Sequence, residues 1–596
     1  MPQSHDLQEL RALLHAKPSK EAWSAICTCI DNMDKEVLEV GLDYAAEHLL
    51  RWPDELRLWS GDSDQWQRPP QPWWPLVRHA CFEHHDDMDT GEVGLVLNTR
   101  RAQHLTMLDL SHNKIGTEGA QLLAQNTDFR HLTHLDLSHN HICCEGALAL
   151  ASAAHLGDLQ DLNLDTNHIT DQGLEAIVAC SHLGGLTHFN VASNQLTDKG
   201  AQAIADSPNL RRLRDLRVPH NDLTHTGIKA LLNSPNLNGI HTLYLTGDYI
   251  DTQGAHTIAN APALVGLHMI DLGGNKIGDD GAQILAQSPI LSNLRELRLS
   301  STKIHGHGVK ALAQSPHITR LRYLSLPYNK LTLEPIKPLL DSPNIQHLTT
   351  LHLGGNKLRT DGALAIANCP HLTGLKTLYL WNNDIDAQGA AALAQSPYMH
   401  QLTELSLSTN PIDLPGIIAL AQSPILTHVT DLDLGETFVY GQGLAELANS
   451  PYLRHLKTLT LDENQITDDG VIALANSPIL ANLTKLHLNT NDIGNEGMSA
   501  LANSPHFPAR CKLNLYENAI DDEGLTALAS SPNLLGLTRL DLGSNQITNH
   551  GLDALLDSPY LGTLREIHLH DNPITDRGAQ RAGKRLYEAH QIRLFV

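Results

Sequence analysis

Leu105-Thr-Met-Leu108-Asp-Leu110-Ser-His-Asn113-Lys-Ile115-Gly-Thr-Glu-Gly119-Ala120-Gln-Leu-Leu123-Ala124 carries two rhythms. Leu108 and Leu110 stand two apart, with Met107, Asp109 and Ser111 on the alternate positions, which is the period of a strand with one buried face. Ala120, Leu123 and Ala124 fall at i, i+3 and i+4, the period of a short helix with one apolar stripe. Asn113 lies between them, where a short amide can bond the backbone of a turn. The stretch decides the fold because it recurs. Asparagine occupies Asn113, Asn140, Asn167, Asn194, Asn221, Asn275, Asn329, Asn356, Asn383, Asn410, Asn464, Asn491, Asn518, Asn545 and Asn572, and Asp248, Thr302 and Thr437 complete the series. All eighteen positions are 27 residues apart, with no insertion. A fixed period of this length marks a solenoid, one supersecondary unit stacked many times.

Working outward, Gly119 opens a series of its own, with glycine in seventeen of eighteen repeats and Pro335 in the other. From Pro208 to Pro559 each repeat ends its helix on proline, usually as Ser-Pro, which stops the helix and sets the return path. The unit is therefore strand, asparagine turn, short helix, proline stop. One unit cannot bury enough apolar surface to offset the ordering of its own chain, so stability comes from its neighbours. Strands lie closer together than helices, so the stack is predicted to curve. The expected fold is an α/β solenoid, a horseshoe of about 18 repeats, with parallel strands on the concave face and helices on the convex face. A buried asparagine ladder is expected to run along it.

The pattern formed by Leu105, Leu108, Leu110, Asn113, Ile115, Gly119, Ala120, Leu123 and Ala124 resembles the leucine-rich repeat. Its Gly-helix half is most similar to the ribonuclease-inhibitor-like subclass. That resemblance covers residues 105–577. It implies a protein-binding solenoid and, through Ran GTPase-activating relatives, admits a regulator of a GTPase or other enzyme. The fold alone does not choose among these.

The ends differ from the middle. Trp23, Trp52, Trp59, Trp66, Trp73 and Trp74 are six of the seven tryptophans and mark residues 1–90 as a separate region. Leu7–His15, Glu21–Ile30 and Lys35–Leu50 are predicted helices, followed by a Pro/Trp-rich stretch and a further helix through Phe82. The region reads as a cap over the open edge of the first repeat or as a recruitment domain. Trp52-Pro-Asp-Glu-Leu56 resembles the opening of an F-box, which would make the chain a ubiquitin-ligase-like adaptor. Residues 91–104 read as a degenerate half repeat, and residues 578–596 as a C-terminal cap built of a polar helix and a last strand.

A net charge of −24 speaks against nucleic acid and against anionic membrane surfaces, and favours a protein partner with a basic patch. No run of 18 apolar residues and no leader core is visible, and eight cysteines are too few for a disulfide framework, so a cytoplasmic compartment is expected. No nucleotide, hydrolase or zinc motif appears, so no cofactor, metal or catalysis is expected. His84-His-Asp-Asp87 and the pair His568 and His570 are the nearest approaches to a metal set, and both read as polar surface. Asp279-Asp280, Asp468-Asp469 and Asp521-Asp522 read as helix N-terminal caps.

The outward strand positions are not dictated by the core. They hold Arg217, Tyr244, Arg298, Tyr323, His352 and Tyr379, with Tyr328 and Trp381 beside them, and an acidic run of Glu404, Asp431, Asp433, Glu436, Asp462 and Glu463 follows. Tyr, Trp and Arg dominate protein interfaces energetically. The expected function is a non-enzymatic scaffold that binds a partner protein on its concave face.

Overall fold

The computed structural model describes residues 5–61, 71–82, 94, 96, 100–590 and 592–596. Half of the expected half repeat at 91–104 lies outside the described residues, as do Trp66 and the segment His84–Asp87. The chain forms two compact units, 1–277 with 287–294 and 278–286 with 295–596.

The first unit begins with helices His5–Leu14, Lys20–Asp31 and Lys35–Leu49, close to the predicted three. Its strands Leu58–Gly61 and His79–Phe82 pair in parallel, and the second pairs with Met107–Asp109. From there each strand pairs with the next, 27 residues on, as far as Met269–Asp271. The helix predicted through Phe82 is thus a strand. Its burial alternates, with Ala80 and Phe82 inward, and pairing with Met107–Asp109 occupies the edge of the first repeat. The second unit repeats the plan from Glu296–Arg298 to Leu537–Asp541 and Glu566–His568, with one register irregularity at Cys511/Lys512. It ends with the helix Asp576–His590 and the strand Arg593–Phe595, which pairs with Glu566–His568.

Within each unit the asparagines form the expected ladder, and the geometry shows how. Asn383 Nδ2 donates to the carbonyls of Leu380 and Trp381 in its own repeat and of Leu353 in the repeat before, at 2.9–3.1 Å. Its backbone N–H donates to Asn410 Oδ1 at 2.9 Å, and its own Oδ1 accepts from Leu358 N–H. Both ends of the amide are used, which a carboxylate or a hydroxyl cannot reproduce. Thr437 donates only to the carbonyl of its own-repeat Leu434, at 2.6 Å, and weakly to Asn464 Oδ1. Asp248 accepts from Asn221 N–H at 3.2 Å, but its Oδ2 is buried with no partner at the place where the asparagines carry their NH2. Burial pushes its carboxyl up to about 8, against the lowering effect of the Asn221 amide.

Three further devices were not legible in the pattern. The residue before every ladder position has positive φ, and at fifteen of the eighteen it is not glycine (for example His112 at 55°, Tyr328 at 55° and Glu436 at 53°). Each such residue costs about 1 kcal/mol, and the ladder bonds hold it there. The repeated helix glycine does not open the helix but lies within its first turn. A Cβ on Gly173 would meet Ile169 Cγ2 at 2.7 Å and Ala147 Cβ at 2.9 Å, so the glycine is required by the approach of adjacent helices. The serine of Ser-Pro forms a second ladder: Ser207, Ser396 and Ser477 donate to the carbonyls of Val178, Ala367 and Ala448, 29 residues back, at 2.5–2.6 Å.

In each of the three acidic pairs one carboxylate acts between repeats, Asp279, Asp468 and Asp522, with Asp468 Oδ1 accepting from Gly494 N–H at 2.7 Å. Asp279 Oδ1 accepts from the N–H groups of His305 and Gly308, and Asp522 Oδ1 accepts from those of Thr548 and Gly551. Helices packed side by side place the first-turn carboxylate of one at the N-terminus of the next, where orphan amides need an acceptor. Asp521 alone of the named pairs also caps its own helix, through Glu523 N–H.

Candidate functional site: the strand faces

On the three-residue strands of the repeats the central residue, leucine on most, is buried, and on many of them both its neighbours are half-buried, as for Thr377, Leu378 and Tyr379. These flanking side chains stand on the sheet face opposite the leucines. They are the candidate surface in both units.

In the first unit this face carries a hollow of about 330 Å³ whose lining includes Asp109, Asp136, Asp161, His134, His188 and Arg217. Asp136 accepts from Ser138 Oγ at 2.6 Å and from Asn163 Nδ2 at 2.8 Å. Asp161 is held above the usual carboxylate range by burial, which outweighs the nearby His188 and His134. Arg217 pairs with Asp215 at 2.9 Å and lies over the Tyr244 ring, 4.7 Å from its centroid. The residues predicted from sequence on this unit, Arg217 and Tyr244, are thus joined as a stacked pair. Sequence reading does not reach the hollow, because its lining is assembled across neighbouring strands and only register brings Asp109, Asp136, Asp161, His134 and His188 together.

In the second unit Arg298 repeats that arrangement, paired with Glu296 at 2.6 Å and lying 4.9 Å from the centroid of Tyr323. Next along the face comes an aromatic platform. Trp381 packs edge-on to Tyr328, centroids 5.1 Å apart, and to His352 at 5.6 Å, and His352 meets Tyr379 at 5.0 Å. Gly354 and Gly355 make the room. A Cβ on Gly354 would strike the Trp381 indole, and one on Gly355 would meet Tyr328 Cδ1 at 2.5 Å. His352 is kept neutral, its pKa lowered to about 4 by burial and then by Arg298. Tyr379 donates to Glu404 at 2.6 Å, and burial, with that carboxylate, raises its phenol well above the usual value. The carboxylates follow on the next strands. Asp433 accepts from Ser406 Oγ at 2.6 Å and Ser408 Oγ at 2.8 Å, and Asp431 from Thr430 Oγ1 at 2.7 Å. Asp462 accepts from Asn489 N–H at 2.9 Å and is raised by burial, while Glu463 is exposed at φ 55°. The platform and the first carboxylates are thus brought together by register, since Tyr379, Ser406 and Asp433 are successive cross-strand partners.

Among the described residues no group of three or more His, Cys, Asp or Glu side chains is arranged to hold a metal ion. His568 stacks on Phe595 at 4.4 Å and His570 on Tyr516 at 5.4 Å, so both members of the terminal pair serve as packing rings. None of the eight cysteines is in a disulfide, and no described helix is long and apolar enough to cross a membrane.

The family described as "Leucine Rich repeat" matches thirteen segments, which run from 101–124, 130–151, 158–178 and 186–205 through 267–286, 291–313, 344–367 and 398–421 to 452–475, 480–502, 512–529, 537–556 and 562–581. The chain is a leucine-rich repeat protein. A leucine-rich repeat protein of Leptospira interrogans is similar in structure, with 21% identity over 83% of this chain and 96% of that one, at a TM-score of 0.36. An internalin of Listeria monocytogenes shares 20% identity over 69% of this chain and 92% of its own, at a TM-score of 0.29. No curated protein matches. The matched segments of this leucine-rich repeat protein take in Arg298, His352, Glu404, Asp462 and Glu463 but not Arg217, Tyr244, Tyr323, Tyr379, Asp431 and Asp433.

Proposed function

We propose that the protein is a non-enzymatic scaffold that binds a partner protein, one with a basic patch, on its strand face. The observation that carries this reading is the content of that face in the second unit. Tyr328, Trp381, His352 and Tyr379 form a ring cluster, two glycines are spent on accommodating it, and the core uses none of the four side chains. A rigid stack holds such contacts in place before docking, so little entropy is lost on association. The carboxylates beside the rings favour a basic partner.

The test is affinity capture from native lysate with the full chain, comparing wild type with Tyr244→Ala, Tyr379→Ala and Trp381→Ala. Loss of one specific partner with unchanged melting is the expected result. Recovery of the same proteins by every variant sinks the reading.

For residues 1–90 the cap reading is favoured by their integration with the first repeats. Thr106 Oγ1 donates to Asp54 Oδ2 at 2.7 Å and Thr106 N–H to the Arg78 carbonyl at 2.8 Å, and the strand His79–Phe82 pairs with Met107–Asp109. Deleting residues 1–90 is expected to destabilise the first unit. A deleted segment that folds alone and captures a protein of its own would restore the adaptor reading.

A further inference from the structure

We infer that the slot between the aromatic platform and the carboxylates of the second unit, bounded by Tyr379, Trp381, Glu404, Asp431 and Asp433, is a seat for an arginine side chain of the partner. The inference rests on the protein-binding reading and names the chemistry of what docks. Its floor is made of small residues: Ser406 is buried and Ser408 half-buried, and both point their hydroxyls at Asp433. Because Tyr379, Ser406 and Asp433 are successive cross-strand partners, the ring wall and the acid wall stand two strand spacings apart, roughly 10 Å. The Tyr379 ring, anchored by its phenol to Glu404, stands on one side and the Asp431 and Asp433 carboxylates on the other, the two chemistries that a guanidinium engages.

The molecule already contains this arrangement in filled form. Arg298 pairs with Glu296 and lies over Tyr323 of the next strand. Arg217 does the same with Asp215 and Tyr244. At Tyr379 the ring and the acids are present, and Glu404 is fixed against the phenol, but no lysine or arginine among the described residues pairs with Glu404, Asp431 or Asp433. These carboxylates accept only from hydroxyl and amide groups. The charge of the slot is therefore unbalanced within the chain, and the missing component is a guanidinium. Arginine fits better than lysine because its plane stacks on a ring while its edge forks onto a carboxylate, whereas an ammonium is a compact, strongly hydrated point charge.

The experiment uses the full chain and two short fluorescein-labelled peptides, identical except that one carries two arginines and the other two lysines, titrated by fluorescence polarisation at physiological salt. The arginine peptide is expected to bind at least about five-fold more tightly than the lysine peptide. Trp381→Ala and Asp433→Asn are each expected to weaken it about ten-fold. Asp469→Asn, an equal charge change on an exposed helix position, is expected to leave it unchanged. Asp433→Asn is nearly isosteric, so the test survives if Trp381→Ala fails to fold. Equal binding of the two peptides, equal loss in Asp469→Asn, or no binding at millimolar peptide overturns the seat. The two readings fail separately. If the peptides show no preference while Trp381→Ala still loses a captured partner, the seat is wrong and the protein-binding face stands. If the arginine preference holds while capture is unaffected by every face variant, the face reading falls.

Discussion

The turn that holds Asn383 and the strand face that holds Tyr379 lie a few residues apart, yet one is nearly invariant along the chain and the other changes at every strand. Around Asn383 the side-chain amide is matched to backbone groups of its own repeat and the one before, and its backbone N–H to the Asn410 side chain of the next, at separations fixed by the 27-residue period. A residue there has one acceptable chemistry, and the repeats depart from it only at Asp248, Thr302 and Thr437. Along the register line through Tyr379 the partners are His352, Ser406 and Asp433, with no common chemistry. What repeats is what stacking demands, and what varies is free to be selected by something outside the chain.

Breaking the invariant side should cost most. Asn383→Leu leaves three carbonyls and the Leu358 backbone N–H of the ladder without their buried partner. At about 1–3 kcal/mol for each unsatisfied buried group, partly relieved by water and relaxation, a loss of about 3–5 kcal/mol is expected. The measurement is the urea midpoint of the second unit's transition. A loss under about 1 kcal/mol would mean that the ladder is ornamental.

Asp248→Asn should act in the opposite direction. The carboxyl titrates near 8 in the folded chain and near 3.8 when unfolded. Between those values the folded state holds the extra proton, so stability is fully present below about pH 4 and is lost as pH rises through 8. The asparagine variant restores the missing NH2 and removes the titration. It should be more stable by on the order of 2–4 kcal/mol at pH 8, with a much smaller gain at pH 4. Denaturant midpoints at the two pH values check this, and a gain independent of pH would show that Asp248 is not the protonated rung. Ser477→Ala comes next, with an expected loss of about 1–2 kcal/mol, because the Ala448 carbonyl loses its buried hydroxyl donor.

The comparison also explains how far the sequence could be read. Asn113 to Asn572 revealed the fold because a backbone ladder imposes one residue type at one spacing. Ser477 was just as periodic, but the proline after it supplied a sufficient reason for the same dipeptide, and the hydroxyl's bond to the previous helix went unread. Asp279 was assigned to its own helix because sequence adjacency is visible while the neighbour 26 residues on is not. The strand His79–Phe82 falls where the sequence predicts a helix through Phe82, because two inward residues in four are too few to separate a period of 2 from 3.6. On the face, Trp381 stood out by composition, but Gly354 and Gly355 gave no sign of their use until the rings were seen to lie on them. The hollow of the first unit depends on Asp161, His134 and His188 across three strands, a grouping that exists only once register is known.

Glu436 belongs to both sides of the comparison, which makes it the finest test. Its backbone is part of the turn, at φ 53°, immediately before Thr437, and its side chain is exposed beside Thr409 Oγ1 at 3.4 Å. Glu436→Gly relieves the left-handed strain but loosens the unfolded chain, so the two effects nearly cancel and stability should change by less than about 1 kcal/mol. Glu436→Val keeps the strain and adds a β-branch that tolerates it poorly, so it should cost more than the glycine variant. Both remove the same carboxylate and should weaken a basic partner alike, chiefly through a slower, less salt-dependent association. Stopped-flow association and urea melts on the two variants separate the roles. If stability differs between them while binding does not, the backbone of this residue serves the stack and its side chain serves the surface.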